Sequence, residues 1–406
     1  MTQTSNQRIY VEVLDRLPVE DEPLEVVERK GRGHPDSICD GVMEQIALGL
    51  GKEYLRLFGR IAHFNVDKAL LVAGRTTPRF GGGSVEEPMR LVLGGRAAYE
   101  AGGVTVPVEE VAYQSARAWF RGNLRFVDPD RHCVFENAIR PGSAALSEVY
   151  RREVVTANDT SVAVGYAPLS ETERLVLAGE RFLNSPGFKR SHPETGEDVK
   201  LLVVRRGTGV HFTVAMAFVD RFVDSEETYF RKKGEVAAEL RSCLAGEART
   251  LRVDAVDLNA LDRPRQGERG LYLTVLGTSA ESGDDGQVGR GNQTNGLIAL
   301  NRPRSPEAAA GKNPLSHVGK VYSVLALSLA DSIYRDVPGV REVYVHLISQ
   351  IGAPIDQPLA AWVQVLPAPN VGPAQVESPA RAIVEVGLAD LPVVSQRLVR
   401  GEFTVW

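Results

Sequence analysis

Cysteine is scarce and without pairing. Cys39, Cys133 and Cys243 are odd in number and show no CxxC spacing, which excludes a disulfide framework and a cysteine-built zinc site and suits a reducing compartment. Positive charge is also in short supply: 47 Lys and Arg against 52 Asp and Glu leave a net charge of −5. A chain with no basic excess cannot neutralise phosphates along an extended surface, so nucleic acid and anionic membrane are excluded as partners, and any polyphosphate must be met by a local cluster of cations. No run approaches the ~18 uninterrupted apolar residues of a membrane span, and the opening MTQTSNQRIY has no apolar signal core. These absences predict a cytoplasmic protein. No GxGxxG opens a helix and no GK is followed by Ser or Thr, so the dinucleotide fingerprint and the Walker A loop are ruled out.

What is present is ordinary in bulk. With 43% hydrophobic and 24% charged residues the 406-residue chain is globular and exceeds one core, so two or three domains are expected. The informative stretch is Arg29 to Gly51, RKGRGHPDSICDGVMEQIALGLG. Pro35 suits the first position of a helix. Ile38, Val42, Ile46 and Leu50 then recur every fourth residue as an apolar stripe, with Asp40, Glu44 and Gln45 on the other side. His34 and Asp36 therefore sit at a helix start, where unpaired N–H groups and the positive end of the macrodipole attract anions and a carboxylate can hold a hard cation. This predicts a phosphate and Mg²⁺ site with an imidazole donor, although a plain capped surface helix shares the pattern.

Further along, Ile61 to Ala73 reads as a strand, residues 74–88 (GRTTPRFGGGSVEEP) as a loop, and Pro107 to Arg121 as a helix. Arg140 to Ser143 form a turn with one cation and one hydroxyl, suited to phosphate but common in loops. Asn158, Asp159 and Thr160 place a carboxylate in a turn, where it could receive an ammonium. Ser170 and Glu173 make a capping box for a helix to about Leu183. Val199 to Arg206 and Val210 to Val219 form a hairpin about Gly207 and Gly209, with Asp198 and Lys200 at its beginning. LRVDAVDL and LYLTVLGTSA read as two more strands. ESGDDGQVGRGNQTNG follows, where glycines space out Asp284, Asp285 and Arg290 so that amides and a guanidinium can wrap an anion. In RSPEAAAGKNPLSHVGK, Ser305, Pro306 and Glu307 predict a short helix and Asn313 with Pro314 the start of a long one. Lys312, His317 and Lys320 gather there as if awaiting several negative charges. Val343 to Ile348, Ala361 to Leu366 and Ile383 to Val386 read as strands.

Taken together, GHPDSICD, ANDTSVAVGYAPLSETE, GDDGQVGRGNQTNGLI and AGKNPLSHVGK resemble the motifs of the archaeal-type methionine adenosyltransferases, the S-adenosylmethionine synthetases, from about Val26 onward. The resemblance implies that methionine sulfur attacks C5′ of ATP and displaces the whole triphosphate, which is then hydrolysed to pyrophosphate and phosphate. A thioether needs no general base, so catalysis would lie in alignment and in stabilising charge on the leaving group. By motif, His34 matches the histidine that contacts the departing oxygen and triphosphate, and Asp36 matches a Mg²⁺ ligand. Asp159 resembles the aspartate that meets the methionine ammonium. Asp198 and Lys200 resemble the pair near ribose and the reacting oxygens, Asp284 and Arg290 the nucleotide and polyphosphate contacts, and Lys312 the triphosphate lysine. Arg140, Ser143 and Lys320 are further phosphate candidates. The implied cofactors are Mg²⁺ and K⁺, and the implied partners are ATP, L-methionine and a second copy of the chain, as a homodimer or dimer of dimers with active sites between subunits.

Departures from the bacterial-type pattern are Ser37 and Gly291 in place of lysines, and HVGK where that branch reads KVDR, so the second Mg²⁺ carboxylate is missing; His317, Lys320 or Asp285 could compensate. Arg75 stands where that branch has a methionine-binding glutamate, with His63 and Asp67 as nearby replacements. The implied fold is α/β (α+β), three similar domains about a pseudo-threefold axis with interleaved segments near 1–140, 141–270 and 271–406. No internal repeat is visible in the sequence. The rival readings are a nucleoside-triphosphate or tripolyphosphate hydrolase and a nucleotide-binding regulatory subunit of the same fold.

Overall fold

The computed structural model describes residues 8–142 and 155–406. Its main strands fall into three sheets built on one plan: two antiparallel strands at the centre, a third parallel to the second of them, and a fourth antiparallel to the first. In one sheet the central pair is Phe64–Val72 and Met89–Ala97, with Cys133–Pro141 parallel and Gly286–Gln287 antiparallel. In the next it is Thr195–Arg206 and Gly209–Val219, with Arg252–Leu258 parallel, Leu24–Lys30 antiparallel and Ile298–Ala299 beyond. In the last it is Val340–Ile348 and Ala360–Pro367, with Ile9–Val13 parallel and Val162–Ala167 antiparallel. The repeat that cannot be seen in the sequence is thus explicit in the pairing.

A parallel neighbour needs a crossover. The helices Val108–Asn123 and Glu226–Glu247 lie on the crossovers of the first two sheets. The last sheet takes its parallel strand from the other end of the chain, Ile9 opposite Ala361 through Val13 opposite Val365. Each antiparallel flank also comes from a remote segment, so the three units interleave.

Each of these three sheets buries one face beneath helices. Ile38, Val42, Ile46 and Leu50 of Pro35–Phe58 pack with Phe64, Leu71, Leu91 and Leu93. Leu175 and Val176 of Glu171–Leu183 meet Leu201 and Val203, and Val321, Leu325 and Leu329 of Val318–Asp336 meet Val343, Val345 and Val363. The capping box at Ser170 forms as expected. No helix among the described residues is long and apolar enough to cross a membrane.

Several local expectations are corrected. The stretch expected to be a loop carries a hairpin, Arg75–Thr77 with Ser84–Glu87. Ile383 to Val386 lie inside the helix Pro373–Ala389, because burial of Val376, Ala380, Val384 and Leu388 at every fourth position outweighs β-branching. Ser305 to Glu307 form no helix: the Ser305 hydroxyl donates to the Val162 carbonyl and accepts the Glu307 N–H. The long helix begins at Val318, not at Pro314, because Asn313 turns its side chain to the Leu315 N–H and the Ala62 carbonyl. Of LYLTVLGTSA only Leu273–Thr274 is strand, since the Glu281 carboxylate takes the next two amides, of Val275 and Leu276.

Gly165 shows how tightly the last unit closes. A Cβ there would stand 2.2 Å from the carbonyl carbon of Ala326, so the Val318–Asp336 helix can rest on this strand only over glycine. Gly165→Ala is expected to lower the urea-unfolding free energy by about 1–3 kcal/mol or more, as for overpacking a core; an unchanged midpoint would contradict this packing.

Candidate active site

His34 caps the Pro35–Phe58 helix, its Nδ1 accepting the Asp36 N–H at 3.2 Å. A ring nitrogen that accepts an amide proton carries a lone pair, so the neutral imidazole bears its own proton on Nε2. Burial pushes the His34 pKa down to about 4 against the pull of Asp36, with Lys30 and Lys200 assisting. At neutral pH the ring is therefore an uncharged donor. Its approach to the next sheet is set by Gly33, where a Cβ would lie 2.4 Å from the backbone N of Asp198. The Thr278 hydroxyl, 2.6 Å from the Gly33 carbonyl, fixes the same turn.

His34 opens onto a cleft of about 760 Å³ lined also by Asp198, Lys200, Tyr272, Ser279 and Asp284, with Val214, Ala215, Leu261 and Leu271 as apolar walls. Asp198 is buried. Its Oδ2 accepts from the Ser279 N–H at 2.8 Å, the Ser279 hydroxyl at 2.6 Å and the Tyr272 hydroxyl at 3.1 Å. Burial nonetheless raises its pKa to about 6 despite these donors, and Asp284 adds to the rise. Lys200 is partly exposed, 3.4 Å from Glu28. Asp284 and Arg290 are exposed, and neither side chain is engaged among the described residues.

Three carboxylates on the helix behind His34 hold the other motif segments. Asp36, Asp40 and Glu44 stand at i, i+4 and i+8, one face of a helix. Asp36 Oδ1 accepts the Gln287 N–H at 2.9 Å, Asp40 Oδ1 the Gly289 N–H at 2.9 Å, and Glu44 Oε2 the Gly311 N–H at 3.0 Å. Asp40 and Glu44, expected on an outer face, are buried. Burial raises the Asp40 pKa to about 7, with the Gly289 amide pulling the other way. Gly291 lets Asp40 come this close: a Cβ would stand 2.1 Å from Asp40 Oδ2 and force that side chain to shift. Asp36 Oδ2 receives the Lys30 ammonium at 2.9 Å, which also reaches the Arg290 carbonyl at 2.7 Å.

A second charged cluster gathers about the start of Val318–Asp336. Lys312 is buried between Asp67 at 2.6 Å and Glu307 at 3.2 Å. Burial opposes the Asp67 charge, but Lys312 and Lys68 overcome it and hold the pKa at about 2. His317 repeats the arrangement of His34: it is the helix N-cap, and its Nδ1 accepts the Gly319 N–H at 3.3 Å. Burial and then Lys312 push its pKa down to about 3. One carboxylate oxygen each of Asp159 and Glu307 and a ring nitrogen of His317 lie within 4.8 Å of one another.

The family model for S-adenosylmethionine synthetase (AdoMet synthetase) matches residues 7–402. The chain belongs to the S-adenosylmethionine synthetase family. It is 45% identical over 405 residues to the S-adenosylmethionine synthase of Pyrococcus furiosus, covering 98% of this chain and all of that one. It is also 45% identical over 403 residues to that of Methanothrix thermoacetophila, with 98% and 100% covered. Among solved structures, an unusual S-adenosylmethionine synthetase from Campylobacter jejuni superposes with a TM-score of 0.61 at 13% identity, over 92% of this chain and 90% of that one. The fold is therefore that of the S-adenosylmethionine synthetases.

Within this family member, the residues singled out by sequence divide into two groups. His34, Asp198, Lys200 and Asp284 share the cleft; Asp36 stands beside His34, its Oδ2 3.8 Å from the ring Nδ1, and Lys30 ties it to the Arg290 carbonyl, but neither Asp36 nor Arg290 lines the cleft. Lys312 and Asp159 belong to the second cluster. The helix separates the groups: Glu44 lies ten residues beyond His34, roughly 15 Å at 1.5 Å per residue. Lys320, a phosphate candidate, is buried with its ammonium on both oxygens of Glu44 at 2.6 and 2.8 Å, which fixes the helix pair and presents nothing to a ligand. Asp285 is turned to the Ala73 N–H at 2.8 Å and does not line the cleft. Asp67 is neutralised by lysines, and His63 is buried beside Gly142. Arg75 pairs with Glu86 and Glu87 on an exposed hairpin. Arg140 is exposed on Cys133–Pro141, and Ser143 lies outside the described residues. Tyr272, Ser279 and Glu307 were not foreseen as site residues.

Two measurements follow. Nitrogen-detected NMR of the histidine rings should show His34 in the Nε2–H tautomer. Because its pKa folds down from 6.5 to about 4, protonation favours the unfolded chain, and this group withdraws stability as pH falls through that interval. A His34 ring titrating near 6.5 would contradict the burial described. Separately, Glu44→Gln leaves the Lys320 ammonium buried without its counter-charge and should cost ~3–5 kcal/mol in urea unfolding.

Proposed function

We infer that the protein forms S-adenosylmethionine from ATP and L-methionine, with sulfur attacking C5′ and triphosphate leaving. The observation that carries this reading is the neutral, Nε2-protonated His34 at a helix N-terminus, facing a cleft that also holds Asp198, Lys200 and Asp284. The apolar wall of Val214, Ala215, Leu261 and Leu271 suits a purine, and the carboxylates suit ribose hydroxyls. His34 Nε2–H and Lys200 donate to the oxygen that gains charge as C5′–O breaks, and Arg290 meets the polyphosphate. No general base is required, because a thioether attacks without losing a proton, and stabilising the leaving group is the main work.

Asp36 would hold a Mg²⁺ ion, which needs few carboxylates when substrate phosphates and water complete its shell. Asp36 Oδ2 already faces a cation, the Lys30 ammonium. When bound, the metal supplies charge neutralisation on the triphosphate. K⁺ enters the proposal through the family resemblance alone.

Lys312, with Asp159 for the methionine ammonium, completes the proposed site. Their distance from His34 along the helix supports a site closed by a second copy, each subunit lending its Lys312 cluster to the other's cleft. The proposed assembly is a homodimer.

His34→Asn should still bind ATP while S-adenosylmethionine formation drops by roughly 10²-fold or more; near-normal turnover removes His34 from the reaction. Lys312→Ala should weaken ATP binding and triphosphate hydrolysis together. Refolding the two variants as a mixture should then restore about a quarter of wild-type activity, because half the dimers are mixed and each holds one intact site. No recovery on mixing would place the whole site within one chain.

A further inference from the structure

We propose that Glu307 and His317 are the specificity-determining residues for the methionine head group: Glu307 receives the α-ammonium together with Asp159, and His317 Nε2–H receives the α-carboxylate. The proposal rests on the adenosyltransferase reading and deepens it. Arg75, at the position of the bacterial branch's methionine-binding glutamate, is spent on Glu86 and Glu87. Asp67 is held by Lys312 and Lys68. The carboxylate that does stand beside Asp159 is Glu307.

Charge counting supports a single positive occupant. Three carboxylates, Asp67, Asp159 and Glu307, meet two ammonium groups, Lys68 and Lys312, while Lys320 is matched by Glu44. Asp159 has no cationic partner among the described residues; its Oδ1 accepts only the neighbouring Thr160 N–H at 2.8 Å. Among the described residues one positive charge is lacking, and an ammonium supplies one.

The tautomer of His317 separates an amino acid from a metal ion. Its Nδ1 is committed to the Gly319 N–H, so Nε2 carries the proton and has no lone pair for a metal. His317 is 3% exposed, and its Nε2 has no partner among the described residues. An N–H donor with no partner among the described residues, set among carboxylates one cation short, matches a zwitterion: oxygen for the donor, ammonium for the acceptors.

Steady-state kinetics of the full-length enzyme test this with L-methionine and with 3-(methylthio)propylamine, which keeps sulfur and ammonium but lacks the carboxylate. Glu307→Gln should raise KM for both amines by about 10–100-fold, the loss of one charge-assisted hydrogen bond, and KM for ATP by less than about 3-fold. His317→Asn keeps a capping acceptor but withdraws Nε2–H, and should raise KM for L-methionine about 10-fold while leaving the carboxylate-free amine within about 2-fold. Methionine KM values within about 2-fold of wild type in both variants would overturn the proposal, as would a changed Mg²⁺ requirement in Glu307→Gln with methionine KM unmoved. Should Glu307→Gln fail to fold, Glu307→Asp keeps the negative charge near Lys312 but shortens the reach, and the same KM shift is expected. A wild-type protein that makes no S-adenosylmethionine fails the parent reading; variants that make it with unaltered methionine KM fail this one alone.

Discussion

The structure depends on one repeated interaction, a helix carboxylate accepting backbone N–H groups from a chain segment remote in sequence. Asp36, Asp40 and Glu44 form a ladder along Pro35–Phe58, and its rungs hold residues 287, 289 and 311. These segments have little regular structure, so most of their amides find no ladder of their own. Buried amides must be paired, and the carboxylates pair them in one register only. The glycines of GDDGQVGRG permit the approach, since a side chain at Gly291 would meet Asp40 itself. Site geometry and fold stability therefore rest on the same three residues.

The two capping histidines show one device used twice. In each, an N-cap imidazole takes the amide two residues on, is buried and stays neutral, and presents Nε2–H beside lysines. The third unit caps its corresponding helix with Ser170 and a reciprocal Glu173 instead. Where a cap only ends a helix, serine and glutamate suffice; imidazole is found where the helix start adjoins the proposed site.

Much of this was legible in the sequence, and the limits have physical causes. The GHPD helix, the Ser170 cap and the Gly207 hairpin follow from local chemistry, and the family from motifs. The ladder was missed because a carboxylate opposite an apolar stripe reads as solvated; its i, i+4, i+8 spacing ahead of an amide-rich glycine loop was the available signal. Lys320 read as a phosphate contact because sequence shows a cation but not Glu44 above it. Glu307 was hidden by a capping pattern, Ser-Pro-Glu, that the Val162 carbonyl diverts into a turn. The repeat escaped detection because strand pairing, not residue identity, is what recurs.

The pairing of Ile9–Val13 with Ala361–Val365 has a consequence for biogenesis. Ile9–Val13 precedes every other described strand, while the central pair it joins, Val340–Ile348 and Ala360–Pro367, follows all of them, so this strand has no partner in its sheet until that pair is made. Until then the nascent chain carries an unsatisfied β-edge, the kind of surface on which chains join one another, and closure between such distant segments is intrinsically slow. Order of assembly, rather than final stability, is where this architecture is most exposed to failure.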